Sequence, residues 1–284
     1  MGRFLARPLR EKARVLTSRL AKLRVASGVP SLKKIEPGFS YLVWNDAIRQ
    51  EILNGTFEPA EQNFAIRYLQ PGMTVLDIGA YYGLYTLIAS SKVGPTGQVI
   101  AFEPSPEQRK KLRWNLALNR SKNVRVEDIA LSSNEGQAEF FSVLEGGGGF
   151  SGLRRPDVTM KMRAIQVHTA TLDSYLSERS LTRVDFVKID VEGGELDVFK
   201  GATGLLSRPS RPVVLCELQD TRSEAWGHLA KDTAAFLERL EFRWFKLFSD
   251  GNLGYLAQGL HPSERNFVAV PPERMKQVEE LLGQ

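Results

Sequence analysis

From Met73 onward, five short apolar runs alternate with helical stretches, and each run ends on or just before a carboxylate. Met73–Ile78 contains Asp77, Gln98–Phe102 leads into Glu103, and Val124–Glu127 into Asp128. Val184–Ile189 leads into Asp190, and Val213–Cys216 into Glu217. Helical spacing fills the gaps at Leu84–Ser90, Pro106–Asn119 and around Leu172–Glu178, and a further helix ends at Phe236–Leu240. Strands that alternate with helices predict a mainly parallel sheet covered on both faces. Gln137–Val143 reads as a further extended segment, and the glycines at 146–149 as a loop near a site. Two late apolar runs, Phe242–Phe248 and Asn266–Val270, fit an antiparallel edge.

Charge divides the chain unequally. Residues 1–34 carry ten Lys/Arg and one acidic residue, whereas the remaining 250 hold 28 basic and 32 acidic ones. The basic character therefore belongs to the N-terminal arm, which argues against a body built for nucleic acid. Leu9, Val15, Leu16, Leu20 and Leu23 fall near helical spacing in this arm. It reads either as a solvated basic helix or as a segment making peripheral membrane contact through residues 1–30. No run approaches the roughly 18 apolar residues that span a bilayer, and the arm lacks the pattern of a secretory signal. The single cysteine, Cys216, forbids an internal disulfide and suits a reducing compartment, so a cytoplasmic location is expected. Oligomeric state has no signature.

In an open α/β sheet, ligands bind beyond the carboxyl ends of the strands. Gly79 and Gly83 flank the first strand-to-helix turn as G-x-x-x-G, not the G-x-G-x-x-G of a dinucleotide pyrophosphate site. Asp77 at that strand end suits a cationic or hydroxyl-rich ligand. Glu103 ends the second strand, where an acidic side chain bonds ribose hydroxyls. Asp128 is placed to reach an adenine amino group or to cap a turn. Strand periodicity puts Lys188, Asp190 and Glu192 on one side. Asp190 and Glu217, on neighbouring strands, either raise each other's pKa, recruit a cation, or join an ion-pair network through Lys188.

These residues resemble the FkbM-type methyltransferases from about Phe57 to Val270. Val75-Leu76-Asp77-Ile78-Gly79-Ala80-x-x-Gly83 is similar to the family's first motif and Phe102-Glu103-Pro104 to its second. Asn123-Val124 through Ala130-Leu131-Ser132, and Leu172-Asp173, also match. The most specific block runs from Val184 to Gly193 and includes Asp190-Val191-Glu192-Gly193. Gly201-Ala202 and Asn266-Phe267 follow, and Phe57-Glu58-Pro59 resembles an upstream element that closes the cofactor pocket. Tyr81 departs from the family, which often has Asn there.

The resemblance implies a Rossmann-like class I methyltransferase fold, α/β, with a mainly parallel seven-stranded sheet, helices on both faces and an N-terminal helical extension. Residues 1–56 would form that basic extension or cap, and 57–284 the S-adenosylmethionine-dependent domain. It also implies O-methylation of a sugar, glycan or natural-product hydroxyl. Cofactor contacts would come from Glu58, Asp77, Gly79, Ala80, Tyr81, Gly83, Glu103, Asp128, Ile129 and Asp190.

An alcohol attacks a sulfonium methyl only as its proton leaves, which calls for a base or a metal. The three histidines, His168, His228 and His261, do not sit at strand ends. Asp190 with Glu217 is therefore expected to act as base and orienter, or as a ligand pair for Mg²⁺. Trp226 and Trp244 are candidates to stack on a sugar face. Two competing readings are a nicotinamide-dependent oxidoreductase on a similar sheet and a non-catalytic cofactor-binding module docked through its arm. The loops at 145–161 and 249–263, which would shape the acceptor pocket, have no readable signature.

Overall fold

The computed structural model describes residues 29–144, 148–156, 159–256 and 265–283. The helical reading of the first 28 residues lies outside these. The chain opens with a β-hairpin, β1 (Ser31–Ile35) and β2 (Phe39–Val43), followed by α1 (Arg49–Asn54) and α2 (Pro59–Tyr68). The alternating elements are then β3 (Thr74–Ile78), α3 (Leu84–Val93), β4 (Gln98–Phe102), α4 (Pro106–Asn119) and β5 (Val124–Glu127). Next come β6 (Ala130–Leu131), β7 (Gly136–Val143), β8 (Met162–Ala170) and α5 (Leu172–Glu178). They are followed by β9 (Phe186–Ile189), α6 (Glu195–Lys200), α7 (Thr203–Leu206), β10 (Val213–Glu217) and α8 (Asp220–Ser223). The chain closes with α9 (Ala230–Glu238), β11 (Arg243–Leu247), β12 (Leu253–Tyr255), β13 (Asn266–Val270) and α10 (Met275–Val278).

The central sheet has the order β12-β11-β13-β10-β9-β3-β4-β5. β5, β4, β3, β9 and β10 pair in parallel, and β13 inserts antiparallel between β10 and β11. This is the expected Rossmann-like sheet with its antiparallel edge. It has eight strands rather than seven, because Leu253–Tyr255 folds back on β11. The chain runs outward from β3 to β5 and then returns to build β9 and β10 on the other side. The gap between β3 and β9 is thus the switch point where such sheets bind ligands.

Side chains alternate between two cores. Val75, Val99 and Phe186 pack with α2, α3 and α4, whereas Leu76, Ile78, Val187 and Ile189 pack with α5, α6, α7 and α9. At the opposite end of the sheet, buried Asp185 accepts from the Thr74 amide (2.9 Å) and pairs with Arg274 (3.1 Å). That carboxylate is structural.

A helical extension was expected over residues 1–56. Its described part is instead a hairpin and one short helix. Ile35, Phe39, Tyr41 and Val43 recur at the period of a strand and turn inward onto the first core, and Glu36-Pro37-Gly38 makes the turn between them. A second small sheet, β6-β8-β7, lends Ala130, Leu131 and Phe140 to the lining of the cavity at the switch point. Among the described residues, no helix is long and apolar enough to cross a membrane.

Candidate active site

A cavity of about 250 Å³ opens over the carboxyl ends of β3, β4, β9 and β10. Its floor contains Asp77, Gly79, Ala80, Glu103, Asp190 and Glu217. The hairpin side contributes Tyr41, Ile48, Ile52 and Glu58, and the β7–β8 side Phe140 and Leu153.

The floor turn depends on glycine. Gly79 has φ +84°, and a Cβ there would stand 1.9 Å from the Asp190 carbonyl oxygen. Without a side chain, β3 and β9 can close to that distance. The Gly79 and Ala80 amides both donate to the Phe102 carbonyl at 3.0 Å. The turn carries Tyr81 (φ +51°) past the end of β4, where its amide donates to Glu103 Oε2 at 2.8 Å. The Ser105 amide donates to Oε1 at 2.8 Å. Both carboxylate oxygens are thereby fixed, each with a lone pair left for a diol. Burial nevertheless pushes the Glu103 pKa up to about 8, despite the two amides.

Beneath the turn, Asp77 is fully buried and accepts from the Thr86 hydroxyl. Burial raises its pKa to about 6. Glu58 sits in the left-handed region (φ +43°) and accepts from the Tyr85 hydroxyl at 2.7 Å. Burial lifts it to about 7, against the pull of Lys188. Lys188 is the buried cation of this group. Its Nζ lies 3.4 Å from Asp190 Oδ2 and 5.2 Å from the centre of the Tyr85 ring. Burial disfavours its charge, but Asp190, Glu58, Glu217 and Asp77 together outweigh that and hold its pKa above the usual lysine value.

Asp190, Glu192 and Glu217 each bring a carboxylate oxygen within 4.8 Å of the others. Glu192 is ion-paired to Arg222 at 3.0 Å, yet burial and Asp190 raise its pKa to about 8. Burial, then Asp190 and Glu192, raise Glu217 well above an ordinary carboxylate. Burial therefore biases Glu217 toward its protonated form, while Asp190 faces the Lys188 ammonium. Such a trio suits a hard divalent cation, but Lys188 and Arg222 already supply two compensating charges.

Most of the expected site residues converge here. Glu58, Asp77, Gly79, Ala80, Tyr81, Glu103, Ile129, Asp190 and Glu217 all line the cavity. Two do not. Asp128 follows the end of β5 and turns outward, 68% exposed and 3.9 Å from Arg109, and Ile129 takes the place facing the cavity. Gly83 caps α3 with φ +92°, and a Cβ there would meet Leu112 at 2.3 Å, so its role is packing. His168 is exposed on β8, His228 lies against the Leu229 carbonyl, and His261 lies outside the described residues. Cys216 is a buried thiol. Trp244 is buried in the second core with its indole N–H on the Ala234 carbonyl, whereas Trp226 lines the cavity. Sequence reasoning missed Arg222 and the roof residues Tyr41, Ile48 and Ile52. None of these carries a local signal; Tyr85, just past the Gly79–Gly83 turn, also lines the cavity.

The Methyltransferase FkbM domain family matches residues 77–244, more than half of the chain, and that span includes the carboxyl end of β3 and all of β4, β9 and β10. The chain belongs to the FkbM methyltransferase family. With that membership the nicotinamide-oxidoreductase alternative falls. The FkbM chain is 30% identical over 208 residues to AMB antimetabolite synthetase AmbE of Pseudomonas aeruginosa, covering 61% of this chain and 10% of that protein. It is 27% identical to Methyltransferase 1 of Beauveria bassiana over 45% of this chain and 57% of that one. It thus spans a tenth to little more than half of these relatives' lengths. Among solved structures, an FkbM methyltransferase from Methylobacillus flagellatus aligns with 91% of this chain and 60% of its own, at TM-score 0.46 and 14% identity.

The residues present fit S-adenosylmethionine, the cofactor of this class. Glu103, anchored on two amides, offers its free lone pairs to a ribose diol. Ile129 and Phe140 give an apolar wall beside it. Glu58, Asp77 and Asp190 outnumber the cation Lys188, which favours a ligand carrying positive charge.

Proposed function

We propose that the protein is an S-adenosylmethionine-dependent O-methyltransferase acting on a hydroxyl of a sugar, glycan or natural-product small molecule. The observation that carries this reading is the pairing of unlike carboxyl groups at the adjoining ends of β9 and β10. Asp190 faces an ammonium, and Glu217 is pushed toward its protonated form. With Glu217 biased toward its protonated form, it can donate a hydrogen bond while the neighbouring Asp190 takes a proton.

When bound, the cofactor supplies an electrophilic methyl group. The chain's own residues do the rest. Glu103 and the Gly79 turn fix the cofactor end, Asp190 accepts the acceptor's hydroxyl proton, and Glu217 orients that hydroxyl. Such base assistance contributes about 10²–10⁴-fold. The roof from Tyr41 to Ile52 and the β7–β8 side keep water from the reacting atoms. Similarity to 2-O-methyltransferase NoeI of Sinorhizobium fredii, 28% identical over 49% of this chain and 61% of that protein, supports oxygen as the atom methylated. Mg²⁺ on Asp190 and Glu217 would acidify the hydroxyl. With Lys188 and Arg222 already in place, its effect is expected to be conditional.

The test has two arms. Calorimetry should show S-adenosylhomocysteine binding and no NADH binding. Mass spectrometry of glycan and metabolite pools incubated with the protein and cofactor should show a gain of one methyl on oxygen. Methyl transfer to nitrogen or carbon, or none to any pool, would sink the proposal.

A further inference from the structure

The outer side of the hairpin and α4 carries groups that the active site does not use. Among the described residues, six large apolar side chains are exposed, and four of them lie here: Val29 (50% exposed), Leu32 (62%), Trp114 (47%) and Leu118 (45%). Leu32, Trp114 and Leu118 form one surface, and Val29 lies two residues before β1. Leu32 stands opposite Leu42 across the hairpin ladder. The Leu42 amide donates to Asn115 Oδ1 of α4 at 2.8 Å, so that helix lies along the β2 edge. Trp114 precedes Asn115 and stacks on Trp44 with ring centres 6.1 Å apart. Leu118 follows one turn further along the same stripe.

Positive charge surrounds this surface. Lys110 holds its ammonium 5.0 Å from the centre of the Trp114 ring, and Lys34 shares the outer hairpin face with Leu32. Arg113 on α4 is exposed as well, whereas Arg109 turns away to the Glu103 and Pro104 carbonyls and Lys111 lies over Trp44 and Tyr82. Glu36 at the hairpin turn and Glu107 at the start of α4 are the acidic neighbours on these elements. Residues 1–28, with eight Lys/Arg and one acidic residue, lead into the surface at Val29.

We propose that this face docks the protein on an anionic lipid bilayer. Charge chooses the occupant. The arm shares the sign of the face, so it is a poor cover for it and adds to attraction for a negative surface. A second copy would set two basic faces against each other. Nucleic acid would satisfy the lysines and arginines but gives Val29, Leu32 and Leu118 nothing to pack on. The interfacial zone of a bilayer takes aliphatic groups, an indole and basic side chains together.

The experiment is cosedimentation of the full chain with phosphatidylcholine vesicles, with and without phosphatidylglycerol. Binding is expected to the anionic vesicles, to be much weaker on phosphatidylcholine alone, and to decline as salt rises. The double variant Leu32→Asp/Leu118→Asp should lose about tenfold or more of its partitioning with the arm intact. Lys110→Gln and Arg113→Gln should each lose about fivefold. Thermal melts matching the unsubstituted chain report that the variants fold, so the result stands whether or not the methyl-transfer reading holds. No binding to anionic vesicles, full binding by the double variant, or tighter binding to RNA or DNA than to vesicles would overturn the proposal.

Discussion

The floor of the cavity and its walls are built in different ways. The floor comes from strand ends that succeed one another across a single sheet. Its geometry is set by short segments: a positive-φ glycine, an amide-anchored glutamate, and the Asp190–Gly193 turn. The walls come from the hairpin and α1, from the stretch after β7, and from Arg222 and Trp226 beyond β10. These segments are far apart in sequence and meet only through tertiary packing. On the proposed reading, the floor that would hold the cofactor is set largely by backbone, whereas the walls that would meet the acceptor rest on side chains from separate segments.

Substitutions can break that division. The largest effect is expected from Gly79→Ala. The added methyl meets the Asp190 carbonyl, and alanine disfavours the backbone conformation, for a combined cost of at least about 3 kcal/mol. Both cofactor binding and the thermal transition should be lost or sharply lowered; a variant with unchanged calorimetry would show that the floor is not rigid. Next is Asp190→Asn, expected to reduce turnover by about 10²–10⁴ while S-adenosylhomocysteine still binds. Parallel loss of binding would move Asp190 from the chemistry to the cofactor.

Glu103→Gln should weaken S-adenosylhomocysteine binding by about 1–3 kcal/mol. The amide NH₂ must face one of the two backbone N–H groups that the carboxylate now accepts. Unchanged affinity would remove Glu103 from the cofactor site.

Acidity gives a smaller and graded effect. Glu58 and Glu103 have pKa values raised to about 7 and about 8, above their ordinary 4.5. The unfolded chain releases these protons first, so folding stability should fall as pH rises from about 4.5 through about 8, and then level off. A cationic ligand favours the ionised forms. S-adenosylmethionine should therefore gain affinity relative to its uncharged-sulfur product across the upper part of this range, with proton release visible in buffers of different ionisation enthalpy. Equal pH profiles for the two ligands would place these carboxylates away from the sulfur. The smallest effect is expected for Arg154→Ala. Its guanidinium lies 5.0 Å over Trp226, a contact of about 0.5–1 kcal/mol. Only the acceptor's KM should shift; a change in cofactor affinity would show that wall and floor are coupled.

The same division explains what the sequence revealed. Asp77, Glu103, Asp190 and Glu217 could be placed on one rim because strand ends in an open sheet share a side, whatever the loops between them do. The antiparallel edge was legible from two apolar runs, but β12 was not, since three residues are too few to show a period. The hairpin went unread because its inward positions, Ile35, Phe39, Tyr41 and Val43, straddle a turn and find their core only in α3 and α4. Asp128 pointed the wrong way because a strand's last residue does not dictate where the next one turns. The charge balance around Lys188 joins Glu58, Asp77, Asp190 and Glu217, residues 159 positions apart at the extremes, and no local pattern contains it.

The two asparagines of α4 have a further consequence. Asn115 and Asn119 satisfy the amides of Leu42 and Ser40 along the margin of β2 that β1 leaves free, and Asn119 also donates to the Ser40 carbonyl. A strand from another molecule would need those same groups to add itself to the hairpin. The carboxamides therefore act as a stopper against sheet extension and fibril seeding, and removing them would convert a sealed border into a template.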